Sequence, residues 1–202
     1  ELWLVQGQFN NGVPMLQQYL DEMLDYSERR MRAALAMIPE GKYSFEDVIE
    51  GDGISDQRFT IRLTLEARGD SVRADFTASD DAARGPLNCR WPSVAACVYY
   101  VMKAVLDPEL PPNAGAYRPV DVEVREGSLL SAVYPNAVCN ANIITTQRIV
   151  DVLLGALAQV VPERVQAACS GTMNLLNIGG IDPRSGVYYN YIETYAGGQG
   201  AM

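Results

Sequence analysis

Residues 140–157 read NANIITTQRIVDVLLGAL, and after Asn140 six polar side chains, Asn142, Thr145, Thr146, Gln147, Arg148 and Asp151, stand at the front of a run that is otherwise apolar on nearly every side. Their groups are amides, hydroxyls, one cation and one carboxylate, the set that recognises an amide, a carbonyl or an anion. Thr145 or Thr146 reads as a helix N-cap, because a hydroxyl there accepts a hydrogen bond from an unpaired first-turn amide. Capping leaves Arg148 unexplained. A cation in the first turn opposes the positive end of the helix dipole, at about 0.3–1 kcal/mol. Two groups can offset it: Asp151, three residues on and the simpler partner, or an anion from substrate or partner held by Arg148 and the free amides.

Other stretches carry weaker signals. In CSGTMN, residues 169–174, Cys169 and Ser170 lack a visible activating base, which disfavours either as a nucleophile. Asn174, with Asn177 nearby, suits amide or carbonyl recognition and equally suits capping a turn. EDVIEGDG, residues 46–53, lacks the ligand spacing of a calcium loop and reads as a solvated acidic turn. AGGQG, residues 196–200, lacks the Lys-Ser/Thr of a phosphate-binding loop, and its glycines also permit a tight turn.

The chain of 202 residues contains no histidine. That removes Ser-His-Asp and Cys-His catalysis and imidazole metal ligation, leaving carboxylates, amides, hydroxyls, thiols or a second chain. Four cysteines, Cys89, Cys97, Cys139 and Cys169, lie far apart with no Cys-x-x-Cys pair, which points to reduced thiols in a reducing compartment. A formal net charge of −9 disfavours attraction to nucleic acid or anionic lipid. No apolar run is long enough to span a bilayer and no signal pattern opens the chain, so no membrane association and a cytoplasmic address are expected.

The elements that must position these groups follow from periodicity. Leu16, Tyr19, Leu20, Met23, Leu24, Met31, Ala34, Leu35 and Ile38 recur at steps of three and four, predicting a helix over residues 14–38 with one buried stripe, stopped by Pro39 and Gly41. From Phe59 the period is two, and with a turn at Gly69-Asp70 the pattern predicts an antiparallel hairpin running to Phe76. An apolar helix over 93–106, a short strand at Val120, Val122 and Val124, a helix over 148–160 and a second hairpin around residues 182–186 complete the list. The class is α+β, with mostly antiparallel hairpins packed against apolar helices.

Six stretches, IPEGKYSFEDVIEGDG, VRADFTASDDAARGPLN, PPNAGAYRPVDVEVREGSLL, NIITTQRIVDVLLGAL, AACSGTMNLLNIGG and ETYAGGQGA, occur in an order that resembles the B-type subunit of the hydantoinase, oxoprolinase and acetone carboxylase family. Asn142, Thr145, Gln147, Arg148 and Asp151 match that family's N-x-x-T-S-Q-R-x-x-D pattern, with Thr146 in place of serine. Gly171, Thr172, Met173 and Asn174 match its G-T-M-N block. Ile144, Cys169, Ser170 and Leu175 depart from the residues usual there.

The resemblance implies that residues 1–202 are a central fragment, inactive alone, of a two-part ATP-dependent system. An A-type ATPase subunit or domain, holding ATP and magnesium, activates a cyclic amide or ketone carbonyl by phosphorylation. The B-type part then directs ring-opening hydrolysis or carboxylation. It implies a divalent metal held in a segment ahead of Glu1, with no cofactor and no metal ligand in this fragment. The candidate substrate-binding set is Asn142, Thr146, Gln147, Arg148, Asp151 and Asn174, with no catalytic residue assigned. The reading is a cyclic-amide hydrolase acting in a hetero-oligomer, without nucleic acid. Its alternatives are a carboxylase of the acetone or acetophenone type and a noncatalytic assembly or binding module.

Overall fold

A computed structural model describes residues 12–198. Helix α1 (Gly12–Leu35) leads into strands β1 (Gly41–Glu50), β2 (Arg58–Arg68) and β3 (Ser71–Asp75). Helix α2 (Trp91–Leu106) follows, then strand β4 (Val120–Glu123), helix α3 (Thr146–Leu157) and strands β5 (Asn174–Ile181) and β6 (Tyr188–Tyr195). Strands β1 to β4 form one sheet in sequence order. The first two pairings are antiparallel and β3 with β4 is parallel, while β5 and β6 form a separate antiparallel hairpin. The α+β architecture expected from the pattern is the one observed.

The period-two residues of β2 are the core of the sheet. Phe59, Ile61, Leu63, Leu65 and Ala67 are all buried, with Val72, Ala74 and Phe76 beside them. Helix α3 lies over β1 and β2 and packs against α2, burying Ile149, Val152, Leu153, Ala156 and Leu157 from one side and Val94, Val98, Val101 and Met102 from the other. Burying this much aliphatic and aromatic side chain, at about 1.5–3 kcal/mol for each large one, is what holds the two layers together. Pro92 sits in the first turn of α2, where its missing N–H costs nothing. The Trp91 indole N–H donates to the Val122 carbonyl at 3.0 Å and ties that helix to β4.

Two regions differ from expectation. Helix α1 ends at Leu35, and residues 36–38 tighten into a turn in which Ile38 N–H donates to Leu35 O at 2.9 Å. Pro39 disfavours the helical conformation at Ile38, which is the physical reason. The single buried stripe is also corrected: Met31, Ala34, Leu35 and Ile38 are buried, whereas Leu20 and Met23 are 46% and 55% exposed. Contacts that hold the helix include Asn113 Nδ2 donating to Ser27 Oγ at 2.8 Å and the pair of Arg30 with Asp107 at 2.6 Å.

The stretch expected to be a solvated acidic turn, residues 46–53, is the end of β1 and the start of a loop, in which Glu46 and Glu50 are exposed but Asp47 and Asp52 are not. Tyr43, Phe45, Asp47 and Ile49 share one face of β1, opposite Leu65, Leu63, Ile61 and Phe59. Asp47 thus points toward the core side, and Asp52 is 3% exposed. The second hairpin is present, its strands joined by the six residues 182–187 with the turn at Asp182, and they are exposed along almost their whole length. Among the described residues no helix is long and apolar enough to cross a membrane.

Candidate functional site

The start of α3 is not the capped N-terminus that its threonines suggest. A π-helical turn, Ala141–Thr145, runs straight into it, and Thr145 already has helical dihedrals. Neither threonine caps: the Thr145 hydroxyl donates to the Leu87 carbonyl, and the Thr146 hydroxyl donates back to the Asn142 carbonyl at 3.0 Å. The extra turn also moves Arg148 out of the first turn, which removes most of the dipole penalty.

Two loops fix this entry. Asn88 is fully buried and uses both ends of its amide: Oδ1 accepts from Ala83 N–H at 2.7 Å, and Nδ2 donates to the carbonyls of Ala83, Gly85 and Ala137 at 3.0, 3.1 and 2.8 Å. Asp52 accepts from the amides of Ile54, Ser55 and Gly85 at 2.9, 2.7 and 2.8 Å. These bonds, from Ser55 first and then Gly85, hold its carboxyl at about 2. The 83–89 loop so anchored presents the Leu87 carbonyl to Thr145 and the Pro86 carbonyl to Asn140 N–H at 2.8 Å.

Arg148 meets a partner that local spacing could not name. Its Nη1 donates to Asp47 Oδ2 at 2.7 Å, while Asp151, the partner expected from spacing, stands at 4.0 Å. Asp47 wins because α3 crosses β1 with its start over the inward-facing acid, with Gln159 Nε2 reaching the Ser44 carbonyl at 3.0 Å further along. Gly171 closes the other side. A Cβ there would lie 2.3 Å from Arg148 Nη2, and its φ of 72° is open to glycine and strained for other residues. Met173 N–H donates to Ile143 O at 2.8 Å, so the GTMN block runs alongside the π-helical turn.

The cluster is incompletely satisfied. Arg148 Nε and Asp151 Oδ2 are both buried without a hydrogen-bond partner among the described residues. Asp151 is 8% exposed. Burial pushes its carboxyl up, Arg148 opposes this, and Asp47 adds to it. An unpaired buried polar atom costs about 1–3 kcal/mol, so an arrangement that retains two is a candidate functional site.

Thr146, Gln147 and Asp151 line a cleft of about 1120 Å³ between α2, α3 and residues 162–169. Arg148 is set behind them in its pair with Asp47. Asn142 is exposed within the π-helical turn, and Asn174 is exposed at the start of β5, opposite Tyr195. The structure therefore brings Thr146, Gln147 and Asp151 to one cavity, with Arg148 at its back, and leaves the two asparagines on the surface. Asp47, Asp52, Asn88 and the closing role of Gly171 were missed by local reading. For Asp47 a signal existed, since an acid interrupts the inward row Tyr43, Phe45, Ile49.

The cysteines are all free, with Cys89 and Cys97 buried. Burial pushes their thiols up to about 12 and about 11, which makes them inert. Cys169 Sγ accepts from Gly171 N–H at 3.3 Å and Ser170 donates to the Thr172 carbonyl at 3.4 Å, bonds that shape the turn. Of the glycine loop, residues 196–198 are described and Gln199 and Gly200 lie outside the described residues. Gly197 packs on Ser170, where a Cβ would lie 1.9 Å from its Oγ, so close approach is one reason for glycine there. A metal finds no fit among the described residues: no three Cys, Asp or Glu side chains converge as a ligand set.

The fold recurs in solved structures of ATP-dependent enzymes. The family profile described as hydantoinase B/oxoprolinase matches residues 9–202, and the chain belongs to that family. The caprolactamase subunit beta of Pseudomonas jessenii is 30% identical over 175 residues, covering 86% of this chain and 30% of that one. The crystal structure of ATP-dependent caprolactamase from Pseudomonas jessenii superposes with a TM-score of 0.79 at 27% identity, over 94% of this chain and 32% of that one. A nucleotide-free acetone carboxylase structure superposes with a TM-score of 0.73 at 16% identity, over 82% of this chain and 24% of that one, a likeness of fold. The chain spans about a third of the length of the subunits it matches. Relatives in this family are ATP-dependent enzymes, and the subunit naming of the caprolactamase relative implies a partner subunit in such complexes.

Proposed function

We propose that this chain is part of a B-type subunit that opens a cyclic amide whose carbonyl an A-type ATPase partner has activated by phosphorylation. ATP and magnesium belong to that partner, a divalent metal to a part of the B-type protein other than these residues, and the whole to a cytoplasmic hetero-oligomer. Phosphorylation turns the carbonyl oxygen into a good leaving group, so this region has to bind and orient more than to attack. Gln147 and Thr146 offer an amide and a hydroxyl to the substrate amide. Arg148, neutralised by Asp47, positions the helix turn that carries them. Asn142 and Asn174 serve at the surface, where a partner or a further part of the protein would meet them.

The observation that carries this reading is the identity with the caprolactamase beta subunit across most of the chain, against a likeness to acetone carboxylase that is one of fold. In the intact protein with its ATPase partner, a lactam and ATP should give ring-opened product and ADP without bicarbonate. Gln147→Ala should raise KM about tenfold, the value of one lost hydrogen bond to substrate, with the unfolding midpoint unchanged. A product that forms only with bicarbonate would transfer the protein to the carboxylases. A stable complex inactive on every lactam and ketone would make it a binding module.

A further inference from the structure

The cleft beside α3 has a marked charge pattern. Among the described residues that line it, Arg164 is the one cation, and it is engaged: its Nη1 donates to the Leu106 carbonyl at 3.3 Å and its Nε lies 3.8 Å from Glu163. Arg148 does not line the cleft, its guanidinium being paired with Asp47 and covered by Gly171. The acids Asp151 and Glu163 do line it. Much of the remaining wall is aliphatic, with Val101, Val105, Val150 and Leu154 from the two helices. Asp151 lines that wall, with its Oδ2 buried 4.0 Å from Arg148 and its carboxylate a group that an amide N–H can satisfy.

We propose that the cleft selects uncharged, aliphatic cyclic amides and rejects those that carry a carboxylate. This rests on the cyclic-amide reading above and narrows its substrate class. A carboxylate entering the cleft would lie near Asp151, with the charge of Arg164 already offset by Glu163, and like charges a few ångströms apart repel where water is displaced. An uncharged lactam meets no such barrier: its methylenes fit the valine and leucine wall, and its amide edge fits Gln147, Thr146 and Asp151. Burial pushes the Asp151 carboxyl up, so the repulsion it exerts on a carboxylate is present above that raised value and weakens as pH falls through it. The charged and titratable groups around Asp151 and its cleft are Arg148 on its own helix, Asp47 from β1, Cys97 and Tyr100 from α2, and Glu163, Arg164 and Cys169 from the segment across the cleft.

Two five-membered lactams test this, because 2-pyrrolidinone and 5-oxoproline differ only by the carboxylate. With the intact protein, its ATPase partner and ATP, kcat/KM for 2-pyrrolidinone should exceed that for 5-oxoproline by about tenfold or more. Ala104→Lys, at an exposed position on the cleft wall, supplies the missing cation and should narrow that ratio at least about threefold. Equal turnover of the two, or a preference for 5-oxoproline, overturns the selectivity and leaves the cyclic-amide reading standing. So does a ratio that Ala104→Lys does not move. Turnover of neither by a protein that still binds its partner overturns both.

Discussion

Asp52 and Asp151 are both buried carboxylates, and their surroundings act in opposite directions. Asp52 accepts three backbone amides and is held at about 2, while the adjoining Asn88 has every polar atom of its amide paired. Asp151 sits in the lining of a cleft with one oxygen unpaired, and burial pushes its carboxyl up. Satisfied polar groups specify a conformation; unsatisfied ones keep a capacity to bind at a cost in stability. The first cluster therefore reads as scaffold and the second as site, although both belong to the machinery around one helix entry.

The largest expected effect lies in the scaffold. Asn88→Ala removes one acceptor and one amide donor from a fully buried position and leaves an amide and three carbonyls to repair. At about 1–3 kcal/mol for each group left unpaired, with some relaxation, the loss is about 3–5 kcal/mol by denaturant unfolding. A loss below about 1 kcal/mol would mean that water replaces the side chain and that the loop is not a rigid support.

Asp47→Ala comes next. It strands Arg148 in a half-buried position with only the distant Asp151, and about 1–3 kcal/mol of stability should disappear. Restoring the stability by adding Arg148→Met would show that the cost is the stranded charge. If the double variant stays as unstable as the single one, the pair is not the unit described here.

The smallest effects should differ in sign with pH. Asp52 has a depressed folded value, so its contribution is fully present above the ordinary carboxylate range and is lost as pH falls through about 2. The thermal midpoint of wild type should exceed that of Asp52→Asn at neutral pH, with the gap closing on acidification. Asp151 has a raised folded value, so its ionised form is the disfavoured one, and its contribution is lost as pH rises through that value. Asp151→Asn should be as stable as wild type at neutral pH or more stable by up to about 1 kcal/mol, with the difference shrinking on acidification. Parallel pH profiles for the two variants would remove the distinction between the clusters.

Much of the architecture was legible along the chain because it depends on short-range pattern. The period of two in Phe59 to Ala67, the turn at Gly69-Asp70 and the prolines around residues 92 and 108 dictate a hairpin and a helix wherever they are placed. Family membership was legible for a different reason, since motifs in a fixed order survive as text. The candidate residues Thr146, Gln147, Arg148 and Asp151 stood out by type at the front of an apolar helix, and the family pattern then matched Gln147, Arg148 and Asp151.

What local pattern could not supply was which distant residues meet. The ion pair of Arg148 spans 101 positions to Asp47, and the tie of Thr145 to Leu87 spans 58. Neither has a periodic signature, because a cross-layer contact depends on how α3 is laid over β1 and on where the 83–89 loop is pinned. The sequence by itself determined the elements, the missing histidine chemistry and the polar content of the helix entry, since these follow from composition and local periodicity. Only the tertiary structure decided that Asp47 neutralises Arg148, that Gly171 covers it and that Asp151 is left unpaired in the lining of a cleft, because the free energy of a buried charge is set by the neighbours that packing brings to it.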